Sequence, residues 1–284
     1  MSLSVRVAET PCKTRLYVPF EEIVAIARDT GFAAICLRAS AGGIGTSVSR
    51  LEQMRRCLDD AGIRVSMVTA DNEIPLNNSR GPDSLRNIRP SLDVAEIFGC
   101  GLIRVCLKQP DDIPWARTAA EIASARKIRL AHQCHTSSLF EEVDPMLRVL
   151  SEIGSPNFGL IFEPANLMVC GQPYGRDTLR KLQPHVMNVY VQNHRTDPQG
   201  TDALTTFCRG EVRFHHLELW EDGGIDFAEL CAGLVDLKIP GYFTIHQAQG
   251  IRTAEDVRGY AARCVQFFRP LLSADSAGKG VGNQ

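Results

Sequence analysis

The sequence predicts an α/β fold, a single (β/α)8 TIM barrel, and three observations support that prediction. Short apolar or β-branched segments alternate with longer segments of helical periodicity, and eight such pairs follow one another along the chain. Glycine follows several of the helical segments, as in Asp60-Ala61-Gly62, where it permits a left-handed cap. No glycine-rich phosphate loop follows the first strand, which favours a closed barrel over an open doubly wound sheet.

The eight strands and eight helices of this barrel have predicted bounds. The strands span residues 4–7, 34–38, 64–69, 102–107, 128–133, 158–163, 187–192 and 242–246. The helices span residues 20–30, 49–61, 82–98, 115–125, 144–153, 176–182, 226–237 and 254–268. The longest irregular stretch, 193–224, is long enough to be a lid, and we expect it to cover the site.

The barrel is expected to occupy residues 1–270. The chain ends in a segment rich in Gly, Ser and Ala without periodic hydrophobicity, so a flexible tail is expected over 271–284. A length of 284 residues is compatible with one barrel domain.

Composition excludes several classes of protein. The formal net charge of −2 offers no basic surface for a phosphate backbone, so nucleic acid is not expected as a partner. No segment approaches the length of a membrane span, and no signal peptide is evident at the N-terminus. Ten cysteines without a CxxC pair, most of them in apolar runs, are typical of reduced thiols in the cytoplasm. A small solute is therefore the expected partner.

Four predicted strands in the second half of the chain end in a group that can bind a metal or a substrate. These groups are Gln133, Glu163, Gln192 and His246. Because parallel barrels build their sites from the carboxyl ends of the strands, we expect these four side chains to converge. The alternative for each residue alone is a polar strand end in water.

Four segments carry a family resemblance. The segments NFGLIFEPANL at 157–167, PHVMNVYVQN at 184–193, GGIDF at 223–227 and GYFTIH at 241–246 resemble, in order and spacing, motifs of the xylose isomerase-like TIM barrels. That superfamily contains sugar and sugar phosphate isomerases and epimerases. The resemblance spans residues 1 to about 270.

The resemblance implies one divalent ion, bound by Glu, Asp, His and Glu at the ends of strands five to eight. Those positions fall on Gln133, Glu163, Tyr190 and His246, of which only one is a carboxylate. Gln192 shares a strand face with Tyr190, so Gln133, Glu163, Gln192 and His246 are the expected ligands. The ion would be Mn²⁺, Zn²⁺, Co²⁺ or Mg²⁺, with Zn²⁺ or Mn²⁺ favoured over Mg²⁺ because only one ligand is anionic. The alternative is that the metal site has been lost.

Other residues are expected around the substrate. The resemblance places His135, His194 and Arg195 near it, while Arg38 and Lys108 end strands that face the barrel mouth. A surface salt bridge is the alternative for both cations, and packing beneath the loop is the alternative for Trp220. The expected substrate-binding set is Arg38, Lys108, Asn166, Tyr190, His194, Arg195, His216 and Trp220.

These residues lead to a preferred function and two alternatives. The preferred function is isomerisation or epimerisation of a sugar or polyol by proton abstraction next to a carbonyl, through a metal-stabilised enediolate. The expected catalytic residues are Glu163 and, as the base, His246 or His135. A lyase or dehydratase acting on a keto-sugar, keto-glycoside or inositol is one alternative, and a non-catalytic sugar-binding barrel is the other. A homo-oligomer is possible, by analogy with similar barrels.

Overall fold

The computed structural model describes residues 1–70 and 79–273, and its centre is a closed barrel of eight parallel strands. The predicted (β/α)8 barrel is therefore confirmed. Seven strands follow in chain order and the eighth, β11, closes the ring between β7 and β1. The barrel strands are β1 (Ser2–Ser4), β2 (Ala34–Leu37), β3 (Arg64–Thr69), β4 (Leu102–Val105), β5 (Arg129–Gln133), β6 (Phe158–Phe162), β7 (Val186–Val191) and β11 (Phe243–Ile245).

The interior of the barrel is divided into an apolar floor and a polar mouth. Side chains of alternate strand residues point into a barrel, so each strand contributes every second residue to this interior. The floor is a cluster of seven buried residues, separate from the core beneath the helices: Cys36, Met67, Leu102, Ala131, Ile161, Met187 and Tyr190. Polar residues that share a face with the floor residues but lie nearer the strand ends therefore open at the mouth.

Helices cover the barrel, and most begin and end within two residues of their predicted bounds. They are α1 (Phe20–Thr30), α2 (Val48–Ala61), α3 (Asp83–Arg86), α4 (Arg89–Ile97), α5 (Ile113–Ala125), α6 (Val143–Ile153), α7 (Pro164–Val169), α8 (Arg176–Leu182), α9 (Phe227–Asp236) and α10 (Ala254–Leu272). None of the helices in the described ranges is long and apolar enough to span a lipid bilayer.

Two helix predictions were wrong. The helix predicted over 82–98 is two helices, α3 and α4, because the backbone leaves the helical conformation at Asn87 and the chain restarts with Pro90 in the first turn of α4. The last helix continues to Leu272, so residues 271 and 272 are helical although the tail was predicted to begin at 271. Residues 274–284 of the predicted tail lie outside the described part of the chain.

The first strand was also misplaced. It ends at Ser4, and the next four residues, Val5–Ala8, form a 3₁₀-helix where a strand was predicted over 4–7. The Ser4 hydroxyl accepts a hydrogen bond from the backbone N–H of Arg6 at 3.2 Å, which stabilises the turn.

The stretch 193–224 is not irregular, contrary to the prediction. It contains an antiparallel three-stranded sheet, which we call the hairpin sheet, formed by β8 (Asn193–Thr196), β9 (Asp202–Thr206) and β10 (Gly210–Leu217) with β10 in the centre. The sequence of β10 alternates as a strand with one buried face does: Val212 and Phe214 are buried, whereas Glu211 and Arg213 are exposed.

Candidate active site at the barrel mouth

A polar cavity of about 260 Å³ opens at the carboxyl ends of the barrel strands. This volume is just below the roughly 300–1,000 Å³ typical of small-molecule sites. The cavity is lined by residues of strand ends and following loops and by residues of the hairpin sheet: Arg6, Lys13, Arg38, Arg104, Gln133, His135, Asn166, Gln192, His194, Asp202, Ala203, Leu204, Phe214, His216, His246, Gln247 and Gln249.

Every buried side-chain polar atom that lacks a hydrogen-bond partner in the described residues lies at this cavity. The five atoms are Arg104 Nε, Gln133 Oε1, Glu163 Oε1, His194 Nδ1 and His246 Nδ1. Four of these side chains line the cavity, and Glu163 is bonded to Gln133 and Asn166, which do. Since buried polar groups are nearly always satisfied in native proteins, their concentration at one place indicates a ligand site.

Glu163 lies directly after β6 and is fully buried. Its Oε2 accepts hydrogen bonds from the side-chain amides of Gln133 and, at 2.9 Å, Asn166. Burial raises the pKa of this carboxyl to about 8, although the charge of Arg104 and a hydrogen bond from Gln192 act in the opposite direction. Two amides thus hold one oxygen of the carboxyl, and Oε1 is left for a ligand.

His246 lies directly after β11, with its ring stacked on the ring of Tyr190 at 4.1 Å. The phenol of Tyr190 is 3.1 Å from the Cys36 thiol, so Tyr190 is part of the floor and supports His246 from below. Burial and the nearby charge of Arg104 lower the pKa of His246 well below its usual value. His246 is therefore neutral, and an imidazole nitrogen can act as a ligand or a base.

His135 follows β5 by two residues, and its Nδ1 is 2.9 Å from the carbonyl oxygen of Thr136. Because that oxygen can only accept, Nδ1 carries the proton and Nε2 keeps its lone pair. Burial, and next the charge of Arg104, lower the pKa of His135 to about 3, so the ring is neutral.

The opposite side of the mouth is positively charged. Arg6, Lys13, Arg38 and Arg104 line the cavity there, whereas Asp202 is the single carboxylate among the lining residues. Burial and the neighbouring charges of Arg6, Arg38 and Arg104 lower the pKa of Lys13 to about 8, which shows that the four cations share one region.

Glu9 lies next to two of these cations. Its carboxylate accepts hydrogen bonds from Arg38 Nε at 2.7 Å, Ser40 Oγ at 2.6 Å and an Arg6 amino group at 3.0 Å. Burial alone would raise the pKa of Glu9, but Arg38 and Arg6 outweigh it and hold the pKa below its usual value. One carboxylate thus positions two arginines.

The hairpin sheet forms the roof of the cavity through Leu204, Phe214 and His216. The turn between β9 and β10 is attached to the loop after β5 by Glu141, whose carboxylate accepts from the backbone N–H groups of Phe207 and Cys208, both at 2.8 Å. A buried carboxylate therefore holds the roof over the mouth.

Comparison with known proteins assigns the fold to a family. The family model of the xylose isomerase-like TIM barrels matches residues 24–264, most of the chain. The chain belongs to the xylose isomerase-like TIM barrel family. No curated protein matches the sequence significantly.

Solved structures of similar fold cover nearly the whole chain at low sequence identity. The probable 3-DHS dehydratase AsbF of Bacillus anthracis has a TM-score of 0.69 at 16% identity, over 93% of this chain and 97% of that one. A xylose isomerase-like TIM barrel protein of Mycobacterium smegmatis, in complex with magnesium, has a TM-score of 0.68 at 15% identity, over 96% and 97%. A D-allulose 3-epimerase of Methylomonas has a TM-score of 0.63 at 13% identity, over 93% and 96%. At such identities the likeness shows the xylose isomerase-like fold alone.

The residues at the family's usual metal position offer a donor set that fits a divalent ion. Gln133 Oε1, Glu163 Oε1 and His246 Nδ1 are three buried atoms without partners, each able to present a lone pair. Oxygen and imidazole donors together suit Mn²⁺, Co²⁺ or Zn²⁺. Gln192, the fourth expected ligand, lines the same cavity and lowers the pKa of the nearby Glu163.

One group of three acidic, histidine or cysteine side chains in the described residues is close enough to share an ion, and it lies elsewhere. It consists of Glu141, Cys170 and Cys208. The two oxygens of Glu141 already accept the N–H groups that fasten the hairpin sheet, so this group is explained by anchoring.

Several residues of the predicted substrate-binding set do line the cavity: Arg38, Asn166, His194 and His216. Four do not. Lys108 donates to the carbonyl of Ser137 at 3.0 Å, and Arg195 is exposed on β8. Trp220 packs against α10, where the guanidinium of Arg263 lies 3.8 Å from its ring centre. Tyr190 lies below the cavity in the floor.

The sequence prediction missed Arg6, Lys13, Arg104 and Asp202. A signal for Arg104 was present, since it follows Leu102 by two residues within a strand of a parallel barrel and therefore shares the interior face. Lys13 and Asp202 lie in a loop and at the start of β9, where no periodicity indicates direction.

Proposed function

We propose that this chain is an enzyme that moves a proton next to the carbonyl group of a small polyhydroxylated compound, as an isomerase or epimerase. The observation that carries the proposal is the concentration of five unpartnered buried polar atoms at one cavity of the barrel mouth. Buried polar groups without partners lower the stability of the protein, and they persist where a ligand uses them.

Gln133, Glu163 and His246 are proposed to hold one divalent ion, with Gln192 completing the set or orienting Glu163. Such an ion polarises a carbonyl and stabilises the negative charge that develops on its oxygen. Asn166 has a positioning role here, because its amide donates both to Glu163 and to the backbone carbonyl of Cys134, each at 2.9 Å. That pair of hydrogen bonds fixes the carboxylate relative to β5.

The proposed base is His135, through Nε2. The carbonyl of Thr136 fixes the tautomer that leaves Nε2 with a lone pair, and the ring lines the cavity. His246 would take this role only if its nitrogen were not needed as a ligand. A proton taken up by Nε2 can be returned to the neighbouring carbon on the same face, which gives isomerisation, whereas epimerisation needs a second group that donates a proton to the opposite face of the first carbon.

The hairpin sheet is proposed to keep water from the reacting carbon. Phe214 and Leu204 place apolar surface over the mouth, and exclusion of water protects a carbanion-like state from unwanted protonation. The loss of a β-leaving group from the same state would make the enzyme a lyase or dehydratase, which is the second proposed activity. AsbF, of similar fold, is described as a probable dehydratase.

Incubation with a pool of small metabolites in deuterated water tests the function even though the substrate is unidentified. Mass spectrometry should find a compound that gains one deuteron with the wild-type protein, and His135→Gln should abolish the gain. A compound that loses one water would identify the lyase. If neither change occurs, and elemental analysis finds no metal, the chain is a non-catalytic binding barrel and the proposal is wrong.

A further inference from the structure

We infer that the substrate carries a carboxylate or phosphate group, which binds to Arg104 and Lys13 on the positive side of the cavity. The inference rests on the function proposed above, because it describes the ligand of the same cavity. It excludes neutral sugars and free polyols as the preferred ligands.

Arg104 is the first observation. It lies on β4, two residues beyond the floor residue Leu102, and is 6% exposed. Its Nε has no hydrogen-bond partner, and within the described residues no carboxylate forms an ion pair with its guanidinium. The charge of Arg104 acts on the nearby Glu163, but these two side chains form no ion pair. Among the described residues this buried positive charge has no counterion, which is strongly unfavourable, and a ligand anion would supply one.

Lys13 and the Arg6–Glu9–Arg38 group are the second observation. Glu9 supplies one negative charge to two guanidinium groups, and Lys13 adds a further positive charge beside them. No ion pair of Lys13 occurs in the ranges that the structure describes. Among the described residues, the four cations at the mouth therefore outnumber the two carboxylates there, Glu9 and Asp202.

The chemistry of these side chains selects the ligand group. A guanidinium presents a planar fork of donors that matches the two oxygens of a carboxylate or phosphate, whereas an ammonium adds an unspecific charge. The amides of Gln133, Asn166 and Gln192 and the ring of His194 lie around the rest of the cavity, where they can bond to hydroxyl groups. A small hydroxylated anion therefore fits both sides of the mouth.

Three six-carbon compounds without an aldehyde or ketone group test the inference by binding alone: D-glucitol, D-gluconate and D-glucitol 6-phosphate. They share a carbon chain and differ at one end, and none can undergo the proposed proton transfer. Titration calorimetry and thermal shift, each in chelator and in Mn²⁺, should show binding of gluconate, of the phosphate ester or of both, and much weaker binding of glucitol. Which anion binds identifies the source of the negative charge.

Arg104→Gln should weaken binding of the anion by about 10- to 100-fold, as expected for loss of charge-assisted hydrogen bonds. The anion affinity of Arg104→Lys should lie between those of the wild type and Arg104→Gln, because lysine keeps the positive charge but lacks the paired donors of the guanidinium. Arg148→Gln, which removes an exposed charge on α6, is the matched control and should bind like the wild type. Without ligand, Arg104→Gln should melt no lower than the wild type. If it does not fold, Lys13→Gln should still weaken binding several-fold.

Equal binding of the three polyols, or anion binding that is unchanged in Arg104→Gln, would overturn the inference. Neither result depends on turnover. The binding experiment can therefore confirm the anion site even if the proposed reaction is refuted, and it can refute the anion site even if the reaction is confirmed.

Discussion

The two sides of the barrel mouth are built on opposite electrostatic principles. The side formed by the ends of β5, β6, β7 and β11 presents two amides, one carboxyl and one imidazole: Gln133, Gln192, Glu163 and His246. The side formed around β1, β2 and β4 presents four cations with one buried carboxylate, Glu9, between two of them. Among the described residues, one side has lone pairs without hydrogen-bond partners and the other has more cations than carboxylates.

The difference teaches how one cavity can recognise a ligand with two chemically distinct ends. A side of lone pairs is complementary to a cation or to hydroxyl protons, and a side of guanidinium groups is complementary to an anion. The comparison also distinguishes two kinds of residue. Glu9 has hydrogen-bond partners within the protein, whereas Arg104 and Glu163 each have a buried polar atom without one. Three experiments sharpen or break this comparison.

The largest expected effect concerns Glu163 in metal-free protein. Burial raises its pKa to about 8 from its ordinary value of 4.5, so the folded state holds its proton more tightly than the unfolded state. The stability that this proton contributes is complete below pH 4.5 and is lost as the pH rises through about 8. The whole loss is on the order of 5 kcal/mol. Urea unfolding in chelator at several pH values should show this decline, and Glu163→Gln should remove it.

Glu152→Gln, an exposed change on α6, is the control and should keep the decline. The assignment of Glu163 as an uncompensated carboxyl would be contradicted by identical pH dependence in wild type and Glu163→Gln.

The next effect concerns Glu9 on the positive side. Glu9→Gln removes the carboxylate that the buried Arg38 and the half-buried Arg6 share, and breaking such a pair costs about 3 kcal/mol of unfolding free energy. Urea unfolding measures the loss, and added inorganic phosphate should restore part of it. Glu21→Gln, which breaks the exposed pair with Arg50, should lose less than about 1 kcal/mol. Equal losses in the two variants would show that the positive side is not under electrostatic strain.

The smallest effect is chemical and leaves stability unchanged. Cys12 lies next to Lys13 and is exposed, and its hydrogen bonds with the hydroxyls of Thr10 and Thr14 lower its pKa to about 7. Cys208 is also exposed, but burial of its thiol and the nearby Glu141 raise its pKa. Iodoacetamide at neutral pH should therefore alkylate Cys12 before Cys208, as followed by peptide mass spectrometry, because the thiolate is the reactive form. An anion bound at Lys13 should slow the alkylation of Cys12 and leave that of Cys208 unchanged.

Sequence reasoning predicted the acceptor side of the mouth better than the positive side. Gln133, Glu163, Gln192 and His246 lie at strand ends, and the carboxyl ends of parallel strands meet by geometry, so their approach to one cavity could be anticipated. Whether they bind a metal stays a prediction. Lys108 also ends a predicted strand, but β4 stops at Val105 and the chain has turned away before Lys108.

The positions of residues in the 193–224 stretch could not be predicted from the sequence. Trp220 was expected to stack on a sugar, yet its ring lies against Arg263, a contact between residues far apart in the chain. The hairpin sheet was missed because its strands are short and separated by turns, although β10 does alternate between buried and exposed residues.

The sequence by itself determined the barrel, because the periods of strands and helices repeat eight times and glycine marks several helix ends, and both are local properties. Only the tertiary structure decided the character of the mouth. Arg6 and Lys13 lie in the N-terminal segment, far along the chain from Arg104, and the charges reinforce one another only because closure of the barrel brings β1 and β4 around one cavity. Electrostatic interactions depend on distance in space, and no local pattern in the chain records that distance.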